Sequence, residues 1–160
     1  KLIKFKSKEN SLEKTLVLVK PDGVQRGLIG TVIGRIESKG LKIAGLKLIH
    51  VSEELAKEHY GEHVARPFFG DLVSFITSSP VVALAIEGDN AVSVVRTMMG
   101  VTNPQEASPG TIRGDFGMTI GMNLVHGSDS VESADRELNL FFKPDDILDY
   151  EREIDAWITE

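Results

Sequence analysis

His126 closes a glycine-rich stretch in the segment His126-Gly127-Ser128-Asp129-Ser130, and a helix start follows at once. A neutral imidazole near pH 7 is a competent nucleophile towards phosphorus. Glu137 lies on the helix that follows, where a carboxylate can turn back and fix the ring. Spacing alone leaves a second reading open, that of a loop histidine satisfied by backbone carbonyls.

A phosphate substrate needs a cradle. The chain has neither G-x-x-x-x-G-K followed by Ser or Thr nor G-x-G-x-x-G, so the usual backbone cradles are missing. Any phosphate site must be built from side chains, for which the forked guanidinium of arginine is the best donor. Arg66, Arg96 and Arg113 stand beside loop signals rather than in amphipathic stripes. Taken singly, each also reads as a solvated surface arginine.

A metal chemistry competes. His59-Tyr60-Gly61-Glu62-His63 matches H-x-x-E-H, an inverted zinc-peptidase pattern in which two histidines share a helix face. Gly61 sits inside the motif and Arg66-Pro67 follows, so the helix is expected to end near the second histidine. A five-residue match also arises easily by chance.

These side chains need elements to hold them. Thr15 to Lys20 reads as a buried strand closed by a Lys20-Pro21-Asp22-Gly23 turn. Leu28, Ile29, Val32, Ile33 and Ile36 recur at helical spacing, with Lys39-Gly40 as the stop. Leu41 to Val51 is extended with poor alternation. Ser52 caps a helix that runs to His59, and a second short helix covers Phe69 to Thr77. Val81 to Ile86 is the strongest strand, and Asn90 and Gly100 bracket the next helix.

Residues 101 to 128 hold five glycines and two prolines, a long irregular stretch of the sort that carries function. Asp129 and Glu132 form a D-x-x-E capping box for a helix through Leu138. Leu140 to Phe142 reads as a last strand and Tyr150 to Ile158 as a terminal helix. Alternating strands and helices fit either a parallel α/β sheet or an antiparallel α+β sandwich.

The 160 residues suffice for one domain with a closed core. Residues 1–13 form a basic arm with Lys1, Lys4, Lys6 and Lys8, read as a solvated tail. Residues 14–144 form the domain and 145–160 an extension. The absence of cysteine excludes disulfides, thiolate metal sites and cysteine nucleophiles, and suits the cytoplasm. No apolar run is long enough for a bilayer. A net charge of −6 argues against a protein that coats nucleic acid, though not against a local basic pocket.

Several long blocks, in order, resemble those of nucleoside diphosphate kinases. They are Thr15-Leu16-Val17-Leu18-Val19-Lys20-Pro21-Asp22-Gly23-Val24-Gln25-Arg26-Gly27, Arg66-Pro67-Phe68-Phe69, Thr102-Asn103-Pro104, Pro109-Gly110-Thr111-Ile112-Arg113-Gly114-Asp115-Phe116 and Asn123-Leu124-Val125-His126-Gly127-Ser128-Asp129-Ser130. The resemblance runs from about Thr15 to Pro144, with a tail of archaeal flavour.

It implies a ferredoxin-like βαββαβ fold of the α+β class with an antiparallel sheet. It also implies a ping-pong transfer of the terminal phosphate from a nucleoside triphosphate such as ATP to a nucleoside diphosphate, through a phosphate on Nδ1 of His126. Glu137 and Ser128 match the residues that orient that ring. Tyr60 and Lys20 match side chains near the transferred phosphate, Lys20 also reaching the ribose. Arg66, Arg96, Thr102 and Arg113 match phosphate ligands, and Asn123 a ribose contact. Phe68 matches the aromatic that stacks on the base, with Leu72 and Ile120 closing an apolar slot. Mg²⁺ is expected on the nucleotide phosphates rather than in a protein cage.

A homo-oligomer is implied too, a hexamer of three dimers meeting through the Thr102 to Asp115 loop, with residues 145–160 packing on a neighbour. Met122 stands where many members carry Arg, and Gly70-Asp71 replaces a common Pro-Gly. A silent scaffold member of the family and the zinc peptidase remain as alternatives.

Overall fold

In a computed structural model, residues 12–160 are described. Lys1, Lys4, Lys6 and Lys8 of the basic arm lie outside them. Leu12 and Glu13, expected in the arm, instead open strand β1 (Leu12–Val19), where Leu12 pairs with Asp89. They are drawn in because the partner strand is long enough to pair with them.

The elements that follow are α1 (Pro21–Gln25), α2 (Ile29–Lys39), β2 (Lys42–Ile49), α3 (Glu53–His59), α4 (Phe69–Ile76), β3 (Val81–Asp89), α5 (Ala91–Met99), α6 (Ile112–Phe116), β4 (Val125–Gly127) and α7 (Val131–Phe141). The four strands form one sheet in the order β2-β3-β1-β4, and every pairing is antiparallel. This is the ferredoxin-like α+β arrangement, and it decides between the two sheets that the sequence pattern left open.

β1 and β3 read as continuous apolar runs because helices cover both faces of the sheet. Side chains alternate across a strand. Val17 and Val19 of β1 join Val82, Leu84 and Ile86 of β3 against α2 and α5, where Val32, Ile36, Val95 and Met99 wait. Leu16 and Leu18 join Val81, Ala83 and Ala85 against Ala56, Val73, Ile76, Leu138 and Phe141 of α3, α4 and α7. A strand buried on two faces has no polar side to show.

Several local expectations hold. Gly40 ends α2 at φ 100°, a left-handed stop that glycine adopts without penalty. Ser52 Oγ accepts the Leu55 amide at 3.1 Å and starts α3. Others need correction. The Lys20-Pro21-Asp22-Gly23 turn is the start of helix α1, with Pro21 in its first turn, where the missing N–H costs nothing. β2 is shorter than Leu41 to Val51, and a register shift between Ile43 and Gly45 explains its poor alternation.

The cap of α7 is Ser130, whose Oγ accepts the Ser133 amide at 3.0 Å, so the Asp129/Glu132 box is displaced by one residue. Leu140 to Phe142 is no strand. Helix α7 runs through Phe141 because Leu138 and Phe141 recur at helical spacing on the buried side.

The Tyr150 to Ile158 helix reduces to a 3₁₀ turn at Glu153–Trp157. Ile154 and Trp157 there are exposed, so no apolar face is buried to support a full helix. The extension folds back on the outer edge of β2. Leu148 N–H donates to Ala44 O at 2.8 Å, Tyr150 Oη–H to Ile43 O at 2.6 Å, and the Arg152 guanidinium to Gly40 O and Leu41 O at 3.0 and 3.1 Å.

Candidate active site

His126 sits on β4, the strand that lies at the sheet edge beside β1, with its backbone paired to Leu18. Helix α7 then packs across the neighbouring strand β1 and brings Glu137 back to His126. His126 Nε2 lies 2.8 Å from Glu137 Oε1, and Ser128 Oγ donates to the other carboxylate oxygen, Oε2. Burial alone would raise the Glu137 carboxyl, but hydrogen bonds from His126 and Ser128 and the neighbouring positive charge hold it below the usual carboxylate range. An ionised carboxylate has no proton to give, so Nε2 must carry the hydrogen. In the neutral ring Nδ1 then holds the lone pair, and the imidazole side chain is 27% exposed.

A second imidazole faces the first. His59, the last residue of α3, has a buried side chain with its ring centroid 4.8 Å from that of His126 and its Nδ1 3.8 Å from Glu137 Oε1. Burial pushes His59 down to about 3, the neighbouring His126 adding to the effect and the Glu137 charge opposing it. The sequence reading treated His59 as a candidate metal ligand and did not place it against His126, although Leu55, Ala56 and His59 carry the spacing of one inward helix face.

Metal pairing within H-x-x-E-H does not form. α3 stops at His59, Tyr60 caps it, and Gly61–His63 is a separate 3₁₀ turn, so His63 turns away to Phe68, ring centroids 5.7 Å apart. Among the described residues, the group that brings three metal-type ligand atoms within 4.8 Å of one another is His59, His126 and Glu137. There the carboxylate is already engaged by Ser128 and His126.

The opposite wall is cationic. Arg113 is buried at the start of α6, its guanidinium held by Asn123 O at 3.1 Å, Gly100 O at 3.0 Å and Val125 O at 2.8 Å. Burial pushes it down to about 10, Arg96 adding and Asp22 opposing, so it stays charged at neutral pH. Arg96 donates to Gly127 O at 3.1 Å. Lys20 donates to Asn123 Oδ1, whose Nδ2–H₂ reaches Thr102 O at 3.0 Å. Burial pushes Lys20 down to about 8 against the pull of Asp22, Arg113 lowering it further. Tyr60 is pushed up to about 12 by burial and then by the Glu137 charge, so it remains a neutral donor.

Between Asn123 and Val125 the chain makes one unusual step. Leu124 has φ 74°, a left-handed backbone that costs an L-residue about 1–2 kcal/mol.

A cleft of about 400 Å³ joins these groups. Its walls include Lys20, Tyr60, Leu72, Arg96, Thr102, Arg113, Ile120, Asn123, His126 and Glu137, brought together from eight separate stretches of chain. Ser128 is fully buried behind Glu137. Arg66 and Phe68 are not in the wall. Both are exposed on the segment between α3 and α4, with Phe68 46% exposed at the rim. That segment lies outside the sheet pairing that fixes the rest, which leaves its side chains without buried anchors.

Known proteins share this arrangement of chain. The family model for nucleoside diphosphate kinase matches residues 13–147. The nucleoside diphosphate kinase of Macrococcus caseolyticus is 60% identical over 147 residues, 92% of this chain and 99% of that one. That of Archaeoglobus fulgidus is 58% identical over 149 residues, 93% of this chain and 99% of the relative. Bacterial and archaeal relatives thus stand at similar identity, and the archaeal flavour of the tail decides nothing.

The halophilic nucleoside diphosphate kinase of Halobacterium salinarum, solved in complex with CDP, superposes with a TM-score of 0.91 at 54% identity, covering 93% of this chain and 99% of that one. The family protein from Babesia bovis gives 0.90 at 46% identity, covering 92% and 99%. An imidazole with one nitrogen outside its hydrogen bond, faced by the Arg113, Lys20 and Arg96 cations on a fold shared along nearly its whole length with these enzymes, leaves one conclusion. The chain belongs to the nucleoside diphosphate kinase family and is an enzyme that transfers phosphate between nucleotides.

Proposed function

We propose that the transfer runs as a ping-pong reaction through Nδ1 of His126. The observation that carries this is the 2.8 Å contact between His126 Nε2 and an ionised Glu137, which leaves Nδ1 as the free nucleophile. The Nδ1 lone pair attacks the terminal phosphorus of a bound triphosphate such as ATP. The bond from that phosphorus to the bridging oxygen breaks, and the oxygen leaves with the diphosphate. A second nucleoside diphosphate then attacks the phosphohistidine and restores the imidazole. Glu137 takes up the positive charge that grows on the ring in each step, and Ser128 holds Glu137 in place.

Phosphoryl transfer rests on positioning and charge neutralisation. Arg96 and Arg113 and the Lys20 ammonium supply the charge, and neutral Tyr60 offers a hydrogen bond to the moving phosphate. Thr102 and Arg66 complete the phosphate contacts, the latter when the rim segment closes on the nucleotide. Asn123 and Lys20 reach the ribose. Phe68, Leu72 and Ile120 provide a ring face and apolar walls for the base, so purines and pyrimidines, ribo and deoxy, are all accepted.

Mg²⁺ enters on the nucleotide phosphates as part of the substrate. The carboxylates beside the cleft, Glu62 and Asp129 among them, are too few and too dispersed for an all-protein cage. No described helix is long and apolar enough to cross a membrane. The net charge of −6 argues against a stable nucleic acid complex. The assembly is a homo-oligomer, a hexamer of three dimers through the Thr102 to Asp115 loop, and the working compartment is the cytoplasm.

The test is exchange between Mg-ATP and a second nucleoside diphosphate, with and without His126. Mg-ATP alone should leave one phosphate on the protein, stable to alkali and labile to acid. A His126→Ala variant that exchanges at the normal rate would overturn the mechanism.

A further inference from the structure

We propose that Asp22 is a positioning residue that holds Leu124 in its left-handed conformation and thereby sets the nucleotide-binding groups on either side of it. Bulky L-residues seldom adopt such a φ, and of the two described here the other is Asn90, a type that tolerates it. Leu124 is also buried, with 1% of its surface exposed, so solvent does nothing to hold the kink. Its backbone is gripped from both sides instead. The Leu124 N–H donates to Asp22 Oδ2 at 2.9 Å, and its carbonyl accepts from the Lys20 N–H at 2.9 Å. A Cβ added to Gly23 would lie 3.0 Å from the Leu124 carbonyl oxygen and 2.8 Å from Val19 Cγ1, so the absence of a side chain there lets α1 come this close. Lys20, Asp22 and Gly23 thus each do one thing to a residue a hundred positions away.

What the kink positions is the binding wall. Asn123 on one side accepts from Lys20 through its side chain and from the Arg113 Nε–H through its carbonyl. Val125 on the other side offers the second carbonyl that anchors Arg113. Relaxing Leu124 to an ordinary φ would turn Asn123 away from Lys20 and separate the two carbonyls. His126 is held independently, through strand pairing with Leu18 and through Glu137. Loss of Asp22 should therefore weaken nucleotide binding more than it slows transfer within the bound complex. Asp22 reaches neither phosphate nor ribose itself, because its second oxygen, Oδ1, is buried without a partner.

The proposal rests on the nucleotide-transfer reading of the cleft, and the experiment separates the two. Asp22→Ala, Asp22→Asn, Asn123→Ala and the Asp22→Ala/Asn123→Ala double variant are compared with the full chain for ADP affinity, KM, kcat and exchange of the Leu124 amide. A charge-assisted hydrogen bond of this kind corresponds to a rise in KM and Kd of at least about tenfold for Asp22→Ala, with a smaller fall in kcat. Asp22→Asn keeps an acceptor for the Leu124 amide and should restore most of the affinity. In the double variant the two losses should fail to add, since Asn123 is already displaced.

Full additivity, equal effects of Asp22→Ala and Asp22→Asn, or a fall in kcat alone would overturn the proposal. If Asp22→Ala does not fold, Asp22→Asn decides. Partly lost protection of the Leu124 amide with a KM raised in step supports the clamp, and parental protection and KM together, or lost protection with unchanged KM, sink it. A parent chain without exchange activity would instead remove the reading beneath it.

Discussion

His59 meets His126 edge to face, with ring centroids 4.8 Å apart and ring planes at 85°. Two imidazoles beside one carboxylate invite the question of which carries charge. The structure divides the roles by hydrogen bonding: His126 takes Glu137 at 2.8 Å, while buried His59 Nδ1 has no partner. The buried ring therefore remains neutral, packed edge to face against His126.

That division has a pH signature. In the unfolded chain His59 takes up a proton below about 6.5, whereas folding withholds it until about 3. The folded state binds fewer protons in that window, so stability is complete above pH 6.5 and falls as the pH drops towards 3. Glu137, also held low, adds its own loss only once the pH falls below the ordinary carboxylate value of 4.5. Urea titrations between pH 4.5 and 6.5 should show His59→Phe with a shallower slope, by up to about 1.4 kcal/mol per pH unit. Parallel slopes would mean that the folded protein protonates His59 readily.

Glu137→Gln should cost roughly one to three orders of magnitude in kcat, since an amide can orient the ring but cannot balance its growing charge. His126→Ala should cost roughly five or six, as for other lost nucleophiles. Steady-state exchange assays compare them directly. Equal losses would assign Glu137 to holding the loop rather than to the chemistry.

Lys20 should set the alkaline limit. Burial brings it down to about 8, so its charge is present below that pH and disappears above it. The kcat/KM for diphosphates should decline as the pH rises through about 8. Lys20→Arg, which keeps its charge throughout this range, should remove that decline even if it lowers the plateau. A profile of the parent from pH 6 to 10 that stays flat would show that Lys20 charge is not needed for binding.

Base choice should be weak. Leu72 and Ile120 offer the base no donor or acceptor, and stacking on Phe68 is open to every base because each has a π-face. The kcat/KM values for adenine, guanine, cytosine and uracil diphosphates should lie within roughly two orders of magnitude, larger bases being favoured. A preference beyond a thousandfold would require a polar reader among the cleft residues.

Trp157 is 91% exposed and Ile154 is 55% exposed on the tail, an arrangement that a neighbouring copy can cover. Light scattering should report a hexamer at micromolar concentration, and Trp157→Ala should weaken it. A stable monomer would overturn the proposed assembly.

Much of the site was legible because its chemistry is local. His126, Ser128 and Glu137 lie on a strand and the helix that follows it, and capping residues mark the junction even though Ser130 rather than Asp129 makes the cap. The four-stranded order was legible only through the family resemblance, since alternation of elements fits two sheets equally. β4 escaped notice because three residues carry no periodicity, and it exists only through pairing with β1. α6 was hidden for the same reason, five residues organised by a Thr111 cap and by the carbonyls that seize Arg113. His59 was visible as a helix residue, but its companions are far away in the sequence. Only the folded chain brings Glu137 to it.

β2 is an outer strand of the sheet, and the returning tail lies along it. An uncovered strand edge is a template on which other chains can extend a sheet, and proteins blunt such edges with bulges and covering segments. Both devices coincide here: the irregularity between Ile43 and Gly45 falls where Leu148 and Tyr150 bind. The Arg152 guanidinium pins the far end of the cover to Gly40 and Leu41. A chain cut after Lys143 should therefore keep its cleft side chains while baring the Ile43 and Ala44 carbonyls to other chains, so that aggregation rises.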